Sequence, residues 1–180
     1  ADVPYLPVGL FKSRTLRSIG EQDIFRVLTS SGTTGQQVSR VVLDRSTATL
    51  QANALSRIMT HILGPERLPM LIVDSRAVLK DRTQPTARAA GVLGMMNFGR
   101  RHFWALDERF ELDRDGLDSF LHQFGNEPFL IFGFTYLVWS KLCSLGCDLS
   151  RGILVHGGGW KKLEAQAVTN QEFKRAFHAS

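Results

Sequence analysis

Residues 24–43 read I-F-R-V-L-T-S-S-G-T-T-G-Q-Q-V-S-R-V-V-L, two apolar, β-branched runs separated by a cluster of serine, threonine and glycine. The flanking runs, 24–29 and 38–43, are rich in residues that fit a pleated, half-buried surface, and they predict two strands. Between them Thr29, Ser30, Ser31, Gly32, Thr33, Thr34 and Gly35 place hydroxyl donors around two glycines. Glycine permits positive φ and a close approach of the backbone to a ligand, and successive unpaired N–H groups form an anion-binding concavity. Strand, small polar loop, strand is therefore a candidate phosphate cradle, with an ordinary Ser/Thr/Gly turn as the competing reading. The pattern differs from the P-loop of nucleoside triphosphatases, where a helix follows and a lysine closes the motif. Here Gln36 and Gln37 come after Gly35.

Upstream, residues 2–12 (D-V-P-Y-L-P-V-G-L-F-K) punctuate apolar positions with Pro4, Pro7 and Gly9 and predict an extended arm rather than a helix. Downstream, Asp44 or Ser46 caps a helix reaching about residue 63, with Leu50, Ala54, Leu55, Ile58, Met59 and Ile62 along one face and Gly64-Pro65 as its stop. The apolar run 69–73 predicts a strand. Asp74 and Ser75 follow at its carboxyl end, where open parallel sheets collect ligands, so Asp74 reads either as a polar site residue or as a turn cap. Residues 87–98 predict a helix of small residues and methionine, 101–106 a strand, 113–124 a helix stopped by Gly125, 128–132 a strand, 135–145 a helix and 153–156 a strand. Thr169-Asn170-Gln171-Glu172 is a capping box that opens a last helix. Strands alternating with helices predict an α/β fold, mostly parallel, with helices on both faces.

The chain has 180 residues, 43% of them hydrophobic and 22% charged, enough for a full core without disulfides and unlike a disordered or fibrous protein. Its net charge of +5 suits an anionic ligand, but the basic residues are scattered without a run of five or six, so no nucleic-acid partner is expected. Cys143 and Cys147 lie in an apolar, helix-like segment and read as small hydrophobes sharing one helix face rather than as a disulfide or metal half-site. Nothing resembles a secretory leader or a membrane span, so the cytoplasm is the expected location.

The order strand, T-S-S-G-T-T-G, strand, helix resembles the phosphate-binding region of the adenylate-forming superfamily, which includes acyl-CoA synthetases, luciferases and peptide-synthetase adenylation domains. G-F-T-Y from Gly133 and V-H-G-G-G-W-K-K-L from Val155 resemble that superfamily's adenine-binding sheet edge. Within it, V-P-Y-L-P-V-G-L-F-K, S-S-G-T-T-G and H-G-G-G-W-K-K-L together are similar to the bacterial acyl-protein synthetases, the fatty-acid-activating component of the bioluminescence fatty-acid reductase complex.

The resemblance spans nearly the whole chain. It implies that a fatty or other carboxylic acid attacks ATP to give an acyl-adenylate, which a protein thiol then takes up, with Mg²⁺ as countercharge. Thr29, Ser30, Ser31, Gly32, Thr33, Thr34 and Gly35 would hold the β and γ phosphates. Gly157, Gly158 and Gly159 would let the backbone lie against adenine, Trp160 would shape the pocket wall, and Lys161 would contact phosphate or close the pocket. An acyl-acceptor protein, or reductase and thioesterase subunits, are the implied partners. Residues 1–180 would form one nucleotide-binding portion of the large adenylate-forming domain. The Y-G-x-T-E type motif, the ribose-binding Asp, the C-terminal lid with its catalytic Lys and the acyl-accepting Cys would lie beyond Ser180. The sequence also departs from many superfamily members in having no Pro or Lys soon after Gly35. Two alternatives stay open: a carboxylate–CoA ligase of the aryl-acetate type, and a non-catalytic nucleotide- or acyl-binding module.

Overall fold

The computed structural model describes residues 5–29, 38–80 and 87–178. They divide into two compact units, one ending at Ile62 and the other beginning at Leu63.

In the first unit the arm contains one helical turn, α1 (Leu10–Ser13), where an extended chain was expected. Pro7, whose fixed φ suits the entry to a helical turn, offers its carbonyl to Leu10 N at 3.0 Å, and Arg14 N bonds back to Leu10 O at 2.8 Å. Strands β1 (Arg26–Thr29) and β2 (Arg40–Leu43) form the expected pair, an antiparallel ribbon with Arg26 opposite Leu43 and Thr29 opposite Arg40. Helix α2 (Arg45–Leu63) starts where Asp44 Oδ1 accepts from Thr47 N at 2.6 Å, bonding that holds the Asp44 carboxyl below its ordinary pKa. Its apolar stripe forms as the spacing predicts. Only Met59 of that stripe is buried, while Leu50, Leu55, Ile58 and Ile62 are exposed.

The second unit carries a four-stranded sheet in the order β4-β3-β5-β6, all parallel, built from β3 (Leu68–Ser75), β4 (Gly99–Leu106), β5 (Phe129–Phe134) and β6 (Gly152–Gly157). The two central strands are near-continuous apolar runs buried on both faces, as a parallel sheet covered by crossover helices requires. Helix α3 (Ala87–Met96) carries the chain from β3 to the β4 edge. Helix α4 (Arg114–Phe124) carries it back across β3 to β5, and α5 (Thr135–Leu142) leads on to β6. Right-handed crossovers in opposite directions put α3 on one face and α4 and α5 on the other.

The α4/α5 face holds the main core: Leu71, Val73, Phe129 and Ile131 pack with Leu117, Phe120, Leu137, Val138 and Leu142, and with Phe173 of α6 (Asn170–His178). Phe120 sits among Phe103, Phe124 and Phe129, with ring centroids 5.3–5.8 Å apart. The expected capping box closes the start of α6, Glu172 accepting from Thr169 N and Oγ1 at 2.8 Å each. Helix α5 ends three residues earlier than expected, as the chain turns with Leu145 N bonded to Leu142 O at 3.2 Å, so Cys143 and Cys147 do not share a helix face. Both are half-buried free thiols, and burial pushes Cys147 above its ordinary pKa, away from the reactive thiolate. No helix among the described residues is long and apolar enough to cross a membrane.

Candidate nucleotide site at the carboxyl edge of the sheet

The strand order creates a topological switch point. The chain leaves β3 toward one edge and leaves β5 toward the other, and the carboxyl ends of such neighbours are the place where open α/β sheets bind ligands. Asp74 and Ser75 end β3, Phe134 and Thr135 pass from β5 into α5, and His156 and Gly157 end β6.

Thr135 organises this edge. Its Oγ1 lies 2.9 Å from Gly158 O, 3.2 Å from Gly157 O and 3.0 Å from His156 Nδ1. A hydroxyl has one proton to give. The two carbonyls can only accept it, so the imidazole must donate, which places the His156 proton on Nδ1 and leaves Nε2 as an acceptor. Burial lowers the His156 pKa and favours this neutral form, and the ring stacks on Phe173 with centroids 4.6 Å apart. The backbone of residues 157–158 is thereby pinned to the start of α5. Gly158 has φ +79°, and a Cβ there would meet the Phe134 ring at 3.0 Å, so this position is closed to side chains. Among the described residues, a Cβ on Gly157 or Gly159 would meet nothing within 4 Å.

Beside this backbone, an apolar groove of about 280 Å³ runs between β6 and α6, with Leu154, Phe173 and Phe177 in its floor and His156, Asn170 and Lys174 at its rim. It is near the small end of the volumes that hold small molecules. At the switch point itself, Asp74 is fully buried. One of its oxygens accepts from Ser75 N at 2.6 Å, and Arg88 bonds both, Nε donating to Oδ2 at 2.6 Å and Nη2 to Oδ1. Burial works against the Arg88 charge, but the carboxylate more than offsets it and holds the guanidinium above its ordinary pKa. Arg88 also lies over the Phe110 ring at 5.0 Å.

A family model described as "Acyl-protein synthetase, LuxE" matches residues 1–180. The chain belongs to the acyl-protein synthetase family. No curated protein and no solved structure matches it.

The motifs that suggested an acyl-protein synthetase are distributed over both units. Thr29 is the exposed last residue of β1. Ser30, Ser31, Gly32, Thr33, Thr34 and Gly35 lie outside the described residues. Gly157, Gly158 and Gly159 are brought to the Thr135 clamp at the sheet edge, as described above. Trp160 is partly buried edge-on against Trp139 at 5.7 Å and near Phe173 at 6.5 Å, so its ring is tied to the α5–α6 packing. Lys161 begins a 3₁₀ turn, and its side chain lies outside the described residues.

Asp74 proves to be a partner in an ion pair, and the turn that follows is capped by Ser75, whose hydroxyl oxygen accepts from Ala77 N at 3.2 Å. Arg88 was not anticipated from the sequence. The available signal was its position in the first turn of a helix, where a cation opposes the helix dipole and needs another reason to be there. Among the described residues no group of three or more His, Cys, Asp or Glu is placed to hold a metal ion.

Proposed function

We propose that this acyl-protein synthetase family member binds ATP and activates a fatty or other carboxylic acid as its acyl-adenylate for transfer to a protein thiol. The observation that carries the nucleotide assignment is the Thr135 clamp. It ties residues 157–158 to the sheet edge, with a side-chain-free Gly158 and, among the described residues, nothing within 4 Å of a Cβ on Gly157 or Gly159, the conditions a flat adenine ring needs to lie against backbone. In this reading Thr29, Ser30, Ser31, Gly32, Thr33, Thr34 and Gly35 hold the β and γ phosphates, Gly157–Gly159 take the base, Trp160 shapes the pocket wall and Lys161 contacts phosphate or closes the pocket. The first chemical step needs no covalent help from the protein; positioning and charge neutralisation carry it. Mg²⁺ would be brought by the nucleotide phosphates, with which it commonly binds.

Calorimetric titration with ATP tests the reading. Gly158→Val and Gly32→Val should each weaken ATP binding at least about tenfold, because each puts a side chain where backbone must approach ligand or adopt positive φ. Unaltered affinity in Gly158→Val removes the adenine assignment, and unaltered affinity in Gly32→Val removes the phosphate assignment. Covalent acyl-protein formation with pyrophosphate release supports the thiol-ligase reaction. CoA-dependent consumption of the adenylate would point to the aryl-acetate type of ligase instead, and ATP binding without pyrophosphate release to a non-catalytic module.

A further inference from the structure

The loop assigned to the phosphates carries no cation, and Gln36, Gln37 and Val38 follow it. A polyphosphate held without nearby positive charge would be bound by N–H and O–H donors alone. The first unit contains the missing charge. Helix α1 packs against β2, and an open groove of about 440 Å³ is lined there by Lys12, Ser13, Arg14, Thr15, Val38 and Arg40. Three of these are cations and two are hydroxyls, and among the described residues no carboxylate lines the groove.

The β1–β2 register sets Arg40 directly opposite Thr29, the first residue of the T-S-S-G-T-T-G stretch. Val38, in the groove wall, is the second residue after Gln36 on the way out of that stretch. Lys12 lies in the single turn of α1, and the extended Arg14 caps it. A cation in the last turn of a helix has a local rationale, since it faces free carbonyls. That accounts for Lys12 and leaves Arg14 and Arg40 without one.

All three cations are exposed, and among the described residues none takes part in an ion pair, whereas nearby Arg17 pairs with Glu21 at 3.2 Å. Like charges lining one groove repel one another, a cost that an anion relieves. Arginine also offers a planar fork matched to phosphate oxygens.

We propose that this groove is a polyphosphate subsite, in which Lys12, Arg14 and Arg40 supply the positive charge that the loop lacks and Ser13 and Thr15 add hydroxyl donors. The ligand class is the polyphosphate arm of a nucleotide. Its compactness suits three cations in one short groove better than an extended nucleic-acid backbone would. The inference rests on the ATP reading above.

The test is calorimetric titration of the full chain with inorganic tripolyphosphate, ATP and adenosine. The wild type is compared with Lys12→Gln, Arg14→Gln, Arg40→Gln, the triple variant, Gly32→Val, and Arg57→Gln as an exposed control on α2. Each single groove variant should bind tripolyphosphate and ATP about tenfold more weakly, and the triple variant at least a hundredfold. Adenosine binding and the Arg57→Gln affinities should stay at the wild-type level. Circular dichroism checks that the variants fold, and Lys12→Arg, which keeps the charge, should retain affinity.

Full tripolyphosphate affinity in the triple variant, with loss in Gly32→Val, overturns the groove and leaves the ATP reading standing. Loss in Arg57→Gln equal to that of the groove variants also overturns it, since general electrostatics would then suffice. Loss in the triple variant without loss in Gly32→Val supports the groove and removes the loop. Absence of tripolyphosphate and ATP binding in the wild type overturns both.

Discussion

At the scale of single residues, the sheet edge depends on how one proton is shared. Thr135 can donate to a glycine carbonyl only while His156 Nδ1–H donates to Thr135, so the clamp requires a proton on Nδ1, which the neutral ring and the imidazolium both supply. Burial places the folded-state pKa of His156 below its ordinary 6.5. The unfolded chain therefore takes up a proton first as pH falls. Stability contributed at this site is intact above about pH 6.5, declines as pH drops from there toward the folded-state pKa, and levels off below it. Urea midpoints measured at pH 7.5 and 5.5 should fall more for the wild type than for His156→Gln, which keeps a donor but does not titrate. An equal fall in both would remove His156 as the source. The importance of the H-G-G-G stretch was legible from residue types. The partner that pins it, twenty-one residues earlier in the chain, was legible only as part of a resemblance. Asp74 was visible as a polar residue ending an apolar strand, whereas Arg88 was not, because an ion pair joining two elements leaves no local pattern.

At the scale of elements, the junction of β5 and α5 is the tightest part of the site. Gly133 lies where a Cβ would come within 2.7 Å of Val138 Cγ2 and 2.8 Å of Val73 Cβ, both fully buried. Strand β3 and helix α5 can approach β5 this closely only because that position has no side chain. Gly133→Ala should cost about 1–3 kcal/mol by overpacking, read as a lower denaturant midpoint with an unchanged m-value. An unaltered midpoint would mean that the junction has slack. The strands of the sheet were readable because a strand buried on both faces must be apolar throughout. Helix limits were less so: α5 stops at Leu142 although apolar residues continue, since periodicity does not report where tertiary packing turns the chain. The reverse holds for α2, whose complete apolar stripe and Asp44 cap predicted the helix well but not that Leu50, Leu55, Ile58 and Ile62 would be exposed.

At the scale of the molecule, buried apolar surface is unevenly shared. Among the described residues Leu43 and Met59 are the buried apolar side chains of the first unit, while the second contains the whole of the main cluster. A two-stranded ribbon is at best marginally stable by itself, and local stability follows buried contact. Amide hydrogen exchange should therefore be slowest in β3 and β5 and fastest, among the strands, in β1 and β2. Equal protection across all six strands would show that both units open as a single cooperative body. The sequence by itself determined the α/β class, the sequence of strands and helices, the capping residues and the two glycine-bearing motifs, because each follows from local periodicity, hydrogen-bonding chemistry or residue type. Only the tertiary structure decided the strand order that places a switch point beside Asp74, the bidentate Arg88 partner, the Thr135 clamp on residues 157–158 and the grouping of Lys12, Arg14 and Arg40. Those depend on contacts between residues distant in the chain, which packing selects and no local pattern encodes.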